Sequence, residues 1–226
     1  ATATVTIQDA ERWILERRLT TLVDHADCYL SLTRPKSWMR KHLSVDGAWP
    51  MPGQEALLLT FHWSAGMWGL RHARATGLSP HMLLATGPAQ RTVADYYARL
   101  RTYAVRRATG NAAVPVPVRT AHDGQRAPFN FQRMRQVYQD HEQLLAVIDV
   151  PPDQVGESIP VTVLGRGARA PVRLLRDAVQ RKIPVYVYRT GLDIRTGLRH
   201  LHIRQMTRND DAEQLATQVF RELETT

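Results

Sequence analysis

Residues 56–61 read ALLLTF, a run too continuous for a strand with one wet face. A half-exposed strand alternates apolar and polar residues. An unbroken run belongs to a strand covered on both sides, and helices supply that cover. Residues 143–149 (QLLAVID) and 183–188 (IPVYVY) make the same demand. The chain is therefore expected to be an α/β protein with a mixed sheet flanked by helices. At 226 residues it is expected to form a single domain, with an N-terminal helical region over 1–50 and the α/β core over 55–223.

The helix and turn signals fall between these runs. Asp9 is an N-cap type, and Trp13, Ile14, Leu19, Leu22, Val23, Ala26, Tyr29 and Leu30 recur after it at helical spacing, which predicts an amphipathic helix. Arg12, Arg17 and Arg18 beside Trp13 suit an interfacial membrane role. The plainer reading packs this helix on the domain with its arginines solvated, because Asp24, His25 and Asp27 interrupt a basic face. Two prolines and two glycines make residues 46–53 a connector. Further on, the spacing predicts a helix over 63–75 closed by Gly77, a strand over 81–86 and an Arg-rich helix over 91–108. Pro115 and Pro117 restrict 114–118 to an edge. A helix from Asn130 to Asp140, a strand over 158–164 that turns at Gly165, a helix from Pro171 to Arg181 and a hairpin of 183–188 with 198–204 follow. Asp210 or Asp211 caps the terminal helix.

Charge narrows the partners. Lys and Arg number 30 against 21 Asp and Glu, giving +9, and lysine occurs only at Lys36, Lys41 and Lys182. An arginine-dominated excess favours phosphates, anionic headgroups or an acidic protein. The arginines are scattered and accompany no nucleic-acid-binding motif, so nucleic acid is the least favoured of these. A single cysteine, Cys28, excludes an internal disulfide and fits a reducing compartment. The longest uncharged stretch, 56–70, is broken by His62 and is too short to span a bilayer. The expected location is cytoplasmic, with any membrane contact peripheral. His141-Glu142 and His200-x-His202 lack a third ligand at usable spacing, and no metal or other cofactor is expected.

The candidate chemistry is at His62, which ends the first apolar run where a helix begins. Unsatisfied N–H groups and the positive dipole end favour a neutral imidazole there, suited to act as a general base. Such a base normally needs an orienting carboxylate. Asp149 ends the second run, and strand ends on one sheet edge are where α/β proteins place their sites. The plain alternatives are a structural strand-end histidine and an aspartate that caps the turn before Pro151 and Pro152.

The run LLLTFHWSAGMW resembles the His-x4-Asp/Glu region of the lipid A biosynthesis acyltransferase family, the lauroyl and myristoyl type. Arg106-Arg107-Ala108-Thr109-Gly110 resembles its Arg-x-x-x-Gly segment, and LLAVIDV resembles the strand that ends in an acidic residue. IPVTVLGRGARAPVRLLRDAVQRKIPVYVYRT is similar to the stretch that follows. The likeness runs over about residues 55–223, by order of elements more than by identities. It departs from the pattern at Met67, which stands at the acidic position, and in the family's N-terminal anchor and C-terminal tail.

The resemblance implies a glycerolipid acyltransferase-like fold and transfer of an acyl group from acyl carrier protein or acyl-CoA to a hydroxyl or amine. His62 would be the base, and Asp149 or Glu55 would orient it. Arg106 and Arg107 would bind phosphate, and Trp63 and Trp68 would line the substrate site. Met67 and Trp68 also read as core residues. Two other functions remain open: an inactive homologue that binds acyl chains or carrier protein, and a basic nucleic-acid binder.

Overall fold

The computed structural model describes residues 9–62, 66–86, 99, 102–108, 110, 114–117, 136–140, 142–150 and 157–224. The chain is an α/β protein whose mixed sheet is flanked by helices on both faces. Among the described residues that sheet has seven strands, β1 (Leu43–Asp46), β2 (Ala56–Thr60), β3 (His81–Thr86), β4 (Val114–Pro117), β5 (Gln143–Val147), β8 (Val185–Leu192) and β9 (Arg199–Gln205), in the order β1-β9-β8-β2-β5-β3-β4. β6 (Ser158–Val163) and β7 (Arg166–Pro171) form a separate antiparallel hairpin.

β2 and β5 lie side by side and parallel, in register from Ala56 against Gln143 to Thr60 against Val147. Their burial explains their unbroken apolar sequences: every residue of β2 is buried. Leu57, Leu59 and Phe61 of one parity meet α4 (Arg173–Arg181), α5 (Ala212–Arg221) and the helical residues 136–139. Ala56 and Leu58 of the other parity meet α3 (Gly66–Ala75) and the helical residues 102–108. Alternate side chains on a strand point to opposite faces, so one apolar run serves two cores.

α3 follows its strand closely because of Gly69. A Cβ there would stand 2.4 Å from Cε2 of Tyr188, so only glycine lets the helix lie this near the sheet. α1 (Ala10–Thr33) starts at Asp9, whose carboxylate accepts from the Arg12 N–H at 2.9 Å, and packs on α3. α2 (Lys36–His42) follows Pro35, and α5 is capped by Asp211 rather than Asp210.

Several expectations change. The connector is preceded by β1, an edge strand parallel to β9, and Gly47 is held at φ +89 where a Cβ would strike the Ile203 carbonyl. Its short, mostly exposed sequence carries no strand signal; pairing with β9 creates it. Residues 166–171 form the hairpin strand β7, so the following helix opens at Arg173, two residues after Pro171. The 183–188 strand extends to Leu192. Asp27 is fully buried rather than solvated. Asn130 and most of the 91–108 helix lie outside the described residues. No described helix is long and apolar enough to cross a membrane.

Candidate active site

The helices that come after β2 and β5 lie on opposite faces of the sheet. α3 packs on the face of Leu58, whereas α4, beyond the hairpin after β5, packs on the face of Leu57. β2 connects to β3 on one side of β5, and β5 connects to β8 on the far side of β2. The carboxyl ends of β2 and β5 therefore flank a topological switch point, the crevice where open α/β sheets hold ligands.

His62 and Asp149 stand just beyond these two strand ends. The ladder continues past β2, with the Ile148 N–H donating to the Thr60 carbonyl at 3.0 Å, so the two chain ends stay aligned. The Asp149 carboxylate then accepts the backbone N–H of His62 at 2.8 Å to each oxygen and faces Nδ1 of the imidazole at 3.0 Å. An ionised carboxylate only accepts, so Nδ1 carries a proton, and in the neutral imidazole the lone pair is then at Nε2. This is the tautomer that a general base needs. The clamp on the His62 backbone also fixes where the ring starts from.

The pair is open to solvent. The His62 side chain is 56% exposed and that of Asp149 30%. As an ion pair, a contact this exposed contributes about 1 kcal/mol or less to stability; the bonds from the His62 backbone N–H are what tie the two strand ends together.

The other candidate residues are distributed differently. Glu55 immediately precedes β2 and so lies at the opposite end of that strand from His62; the carboxylate that faces the imidazole is that of Asp149. Met67 is buried in the core beneath α3, as an apolar residue at that position should be. Trp68 is 1% exposed, its ring packed against Trp38 and under the Arg199 guanidinium, 4.5 Å from the ring centre. A ring so enclosed has no face to offer a substrate. Arg106 and Arg107 are exposed on the helical segment 102–108. Arg107 stands near Arg71, whose pKa is lowered first by burial and then by that neighbouring charge. Arg71 in turn donates to the carbonyls of Leu30 and Arg34 at the end of α1, so Arg107 neighbours the α1–α3 junction. Trp63 lies outside the described residues.

Two residues near the crevice carried no sequence signal. Tyr188 is buried with its pKa raised, chiefly by desolvation, against an opposing hydrogen bond from Thr60. Two residues on, Thr190 is 1% exposed and its hydroxyl makes no hydrogen bond among the described residues. Only the pairing of β8 with β2 brings them to this edge.

No family model and no curated protein matches the chain.

Proposed function

We propose that the chain is a glycerolipid acyltransferase-like enzyme that moves an acyl group from an acyl carrier protein or acyl-CoA thioester to a hydroxyl or amine. The observation that carries this reading is the His62–Asp149 dyad at the carboxyl edge of two parallel strands. Nε2 of His62 takes the proton of the acceptor O–H or N–H as that atom attacks the thioester carbonyl. The tetrahedral oxyanion forms near the N-terminus of α3, where backbone N–H groups lack helical partners. As it collapses, the C–S bond breaks and the imidazolium returns its proton to the departing thiolate. The acceptor is acylated, the carrier is released as a thiol, and His62 is neutral again.

Asp149 supports this chemistry despite Met67. An orienting carboxylate need not sit four or five residues beyond the histidine when the neighbouring strand supplies one. The arginine-rich +9 surface suits an acidic carrier or a peripheral position at an anionic membrane face.

The test is thioester loss from acyl carrier protein and coenzyme A donors, followed for the protein, His62→Ala and Asp149→Asn. Turnover lost in both variants is the expected result; equal turnover in all three overturns the reading. Carrier binding without turnover would reassign the chain as a binding partner. Tight binding to nucleic acid that weakens steeply with salt would move it to the third class.

A further inference from the structure

α1 presents an apolar stripe to solvent. Leu15, Leu19, Leu22, Ala26 and Tyr29 follow one another at spacings of four, three, four and three residues. They form a single seam about 21 Å long at 1.5 Å per residue. Leu15 and Leu22 are each 66% exposed, Tyr29 59% and Leu19 39%. The helix packs on the domain through another side. Among its described side chains Asp27 and Cys28 are buried, each turned more than about 90° from the seam at 3.6 residues per turn. A surface helix of a globular domain turns its apolar residues inward; α1 turns Asp27 inward and Leu15, Leu19 and Leu22 outward.

We propose that this seam pairs with the same seam of a second copy of the chain, as a short antiparallel helical coil. The four-three repeat from Leu15 to Tyr29 fits the same repeat of another such helix; Trp13 and Ile14, 48% and 44% exposed, lie off the seam at the helix start. Glu11 and Glu16 border the seam beside Arg12 and Arg18, and Glu16 is paired with Arg12 at 2.9 Å, so the rim carries no net positive charge to hold an anionic lipid surface. The charges also choose the direction. One step before Leu15 the repeat reaches Arg12, so a parallel, in-register pair would set Arg12 against Arg12 and Glu11 across from Glu16. An antiparallel pair sets Leu19 of one copy opposite Leu22 of the other, Leu15 opposite Ala26, and Arg12 over Tyr29, a favourable cation–ring contact. Both domain bodies then lie on the outer sides. The two stripes together remove on the order of 1,000 Å² from water, the size at which a specific interface begins.

The experiment is sedimentation of the whole chain across protein concentration, with cysteine pairing as a second readout. The expected result is a concentration-dependent rise from the 25.7 kDa of one chain to twice that mass, abolished in Leu19→Glu/Leu22→Glu with the circular dichroism spectrum retained. Leu19→Cys mixed with Leu22→Cys should form a mixed disulfide dimer faster than either alone. A chain that stays monomeric to about 100 μM, or a dimer that survives the double glutamate variant, overturns the proposal. Faster disulfide formation by each cysteine variant alone overturns the antiparallel arrangement. Capture of a monomer by anionic vesicles through these same leucines overturns it in favour of lipid.

Discussion

Two carboxylates, Asp149 and Asp27, each meet a basic partner from a distant part of the chain, in opposite surroundings. Asp149 holds His62 at a solvent-exposed strand edge. Asp27 is fully buried beneath α1 and meets Arg199, itself 6% exposed, through a 2.6 Å contact to Nη2 and a 3.3 Å contact to Nε. Arg199 also donates to the Gly197 carbonyl at 2.6 Å and lies over the Trp68 ring. In the buried pair both charges have lost water, so removing one strands the other. In the exposed pair water screens the loss, and the geometry of the imidazole is what remains to be lost. The same kind of contact thus serves the fold in one place and suits chemistry in the other.

The largest effect should come from Asp149→Asn. If the dyad works as proposed, turnover falls on the order of 10⁴-fold, because the amide supports the wrong tautomer of His62. Urea denaturation should move by no more than about 1 kcal/mol, since the pair is exposed. A large loss of stability with turnover intact would invert the comparison.

Asp27→Ala should do the reverse. It leaves a buried guanidinium without its carboxylate and should cost about 3–5 kcal/mol in urea denaturation. Replacing both partners by apolar residues of similar volume, Asp27→Leu with Arg199→Met, should recover most of that loss. Failure of the double variant to recover would show that Trp68 and Gly197 depend on the arginine itself.

Gly69→Ala tests the element that joins the two regions. α3 opens just beyond His62 and carries Trp68 beneath Arg199, so pushing it off Tyr188 should disturb both pairs. Crowding of this kind costs about 1–3 kcal/mol. Turnover should fall with it, and a change in stability alone would show that the dyad is positioned independently of α3.

The smallest effect lies further along the same helix. Nδ1 of His72 accepts the Trp49 indole N–H at 2.9 Å, and burial lowers the His72 pKa from its ordinary 6.5. The unfolded chain therefore takes up the proton before the folded one does. Stability attributable to this group is fully present above pH 6.5 and declines as the pH falls through that value toward the lowered one. Denaturation midpoints measured on either side of pH 6.5 should show the decline, and His72→Gln should flatten it.

Much of this was legible in the residues. Unbroken apolar runs can satisfy their burial only between two helical layers, so ALLLTF and QLLAV appear as central strands. Asp9 and Asp211 announce their helices because a short carboxylate side chain reaches the N–H groups of the first turn. Asp27 was misleading for a physical reason: a charged residue on a helix is ordinarily solvated, and only a partner 172 residues away justifies its burial. β1 and β7 were unreadable in the same way, since Leu43–Asp46 and Arg166–Pro171 become strands only through the neighbours they pair with.

The sequence by itself determined that His62 and Asp149 each end a buried strand, because that follows from local apolar patterning and the polar residue that terminates it. It could not determine that the strands are neighbours. They are separated by β3 and β4 in the chain and pair with no strand between them in the sheet, a choice made by nonlocal register and by which face each connection crosses. Only that tertiary choice brings an aspartate 87 residues away within 3.0 Å of the imidazole and lets Met67 be a core residue without leaving the histidine unoriented.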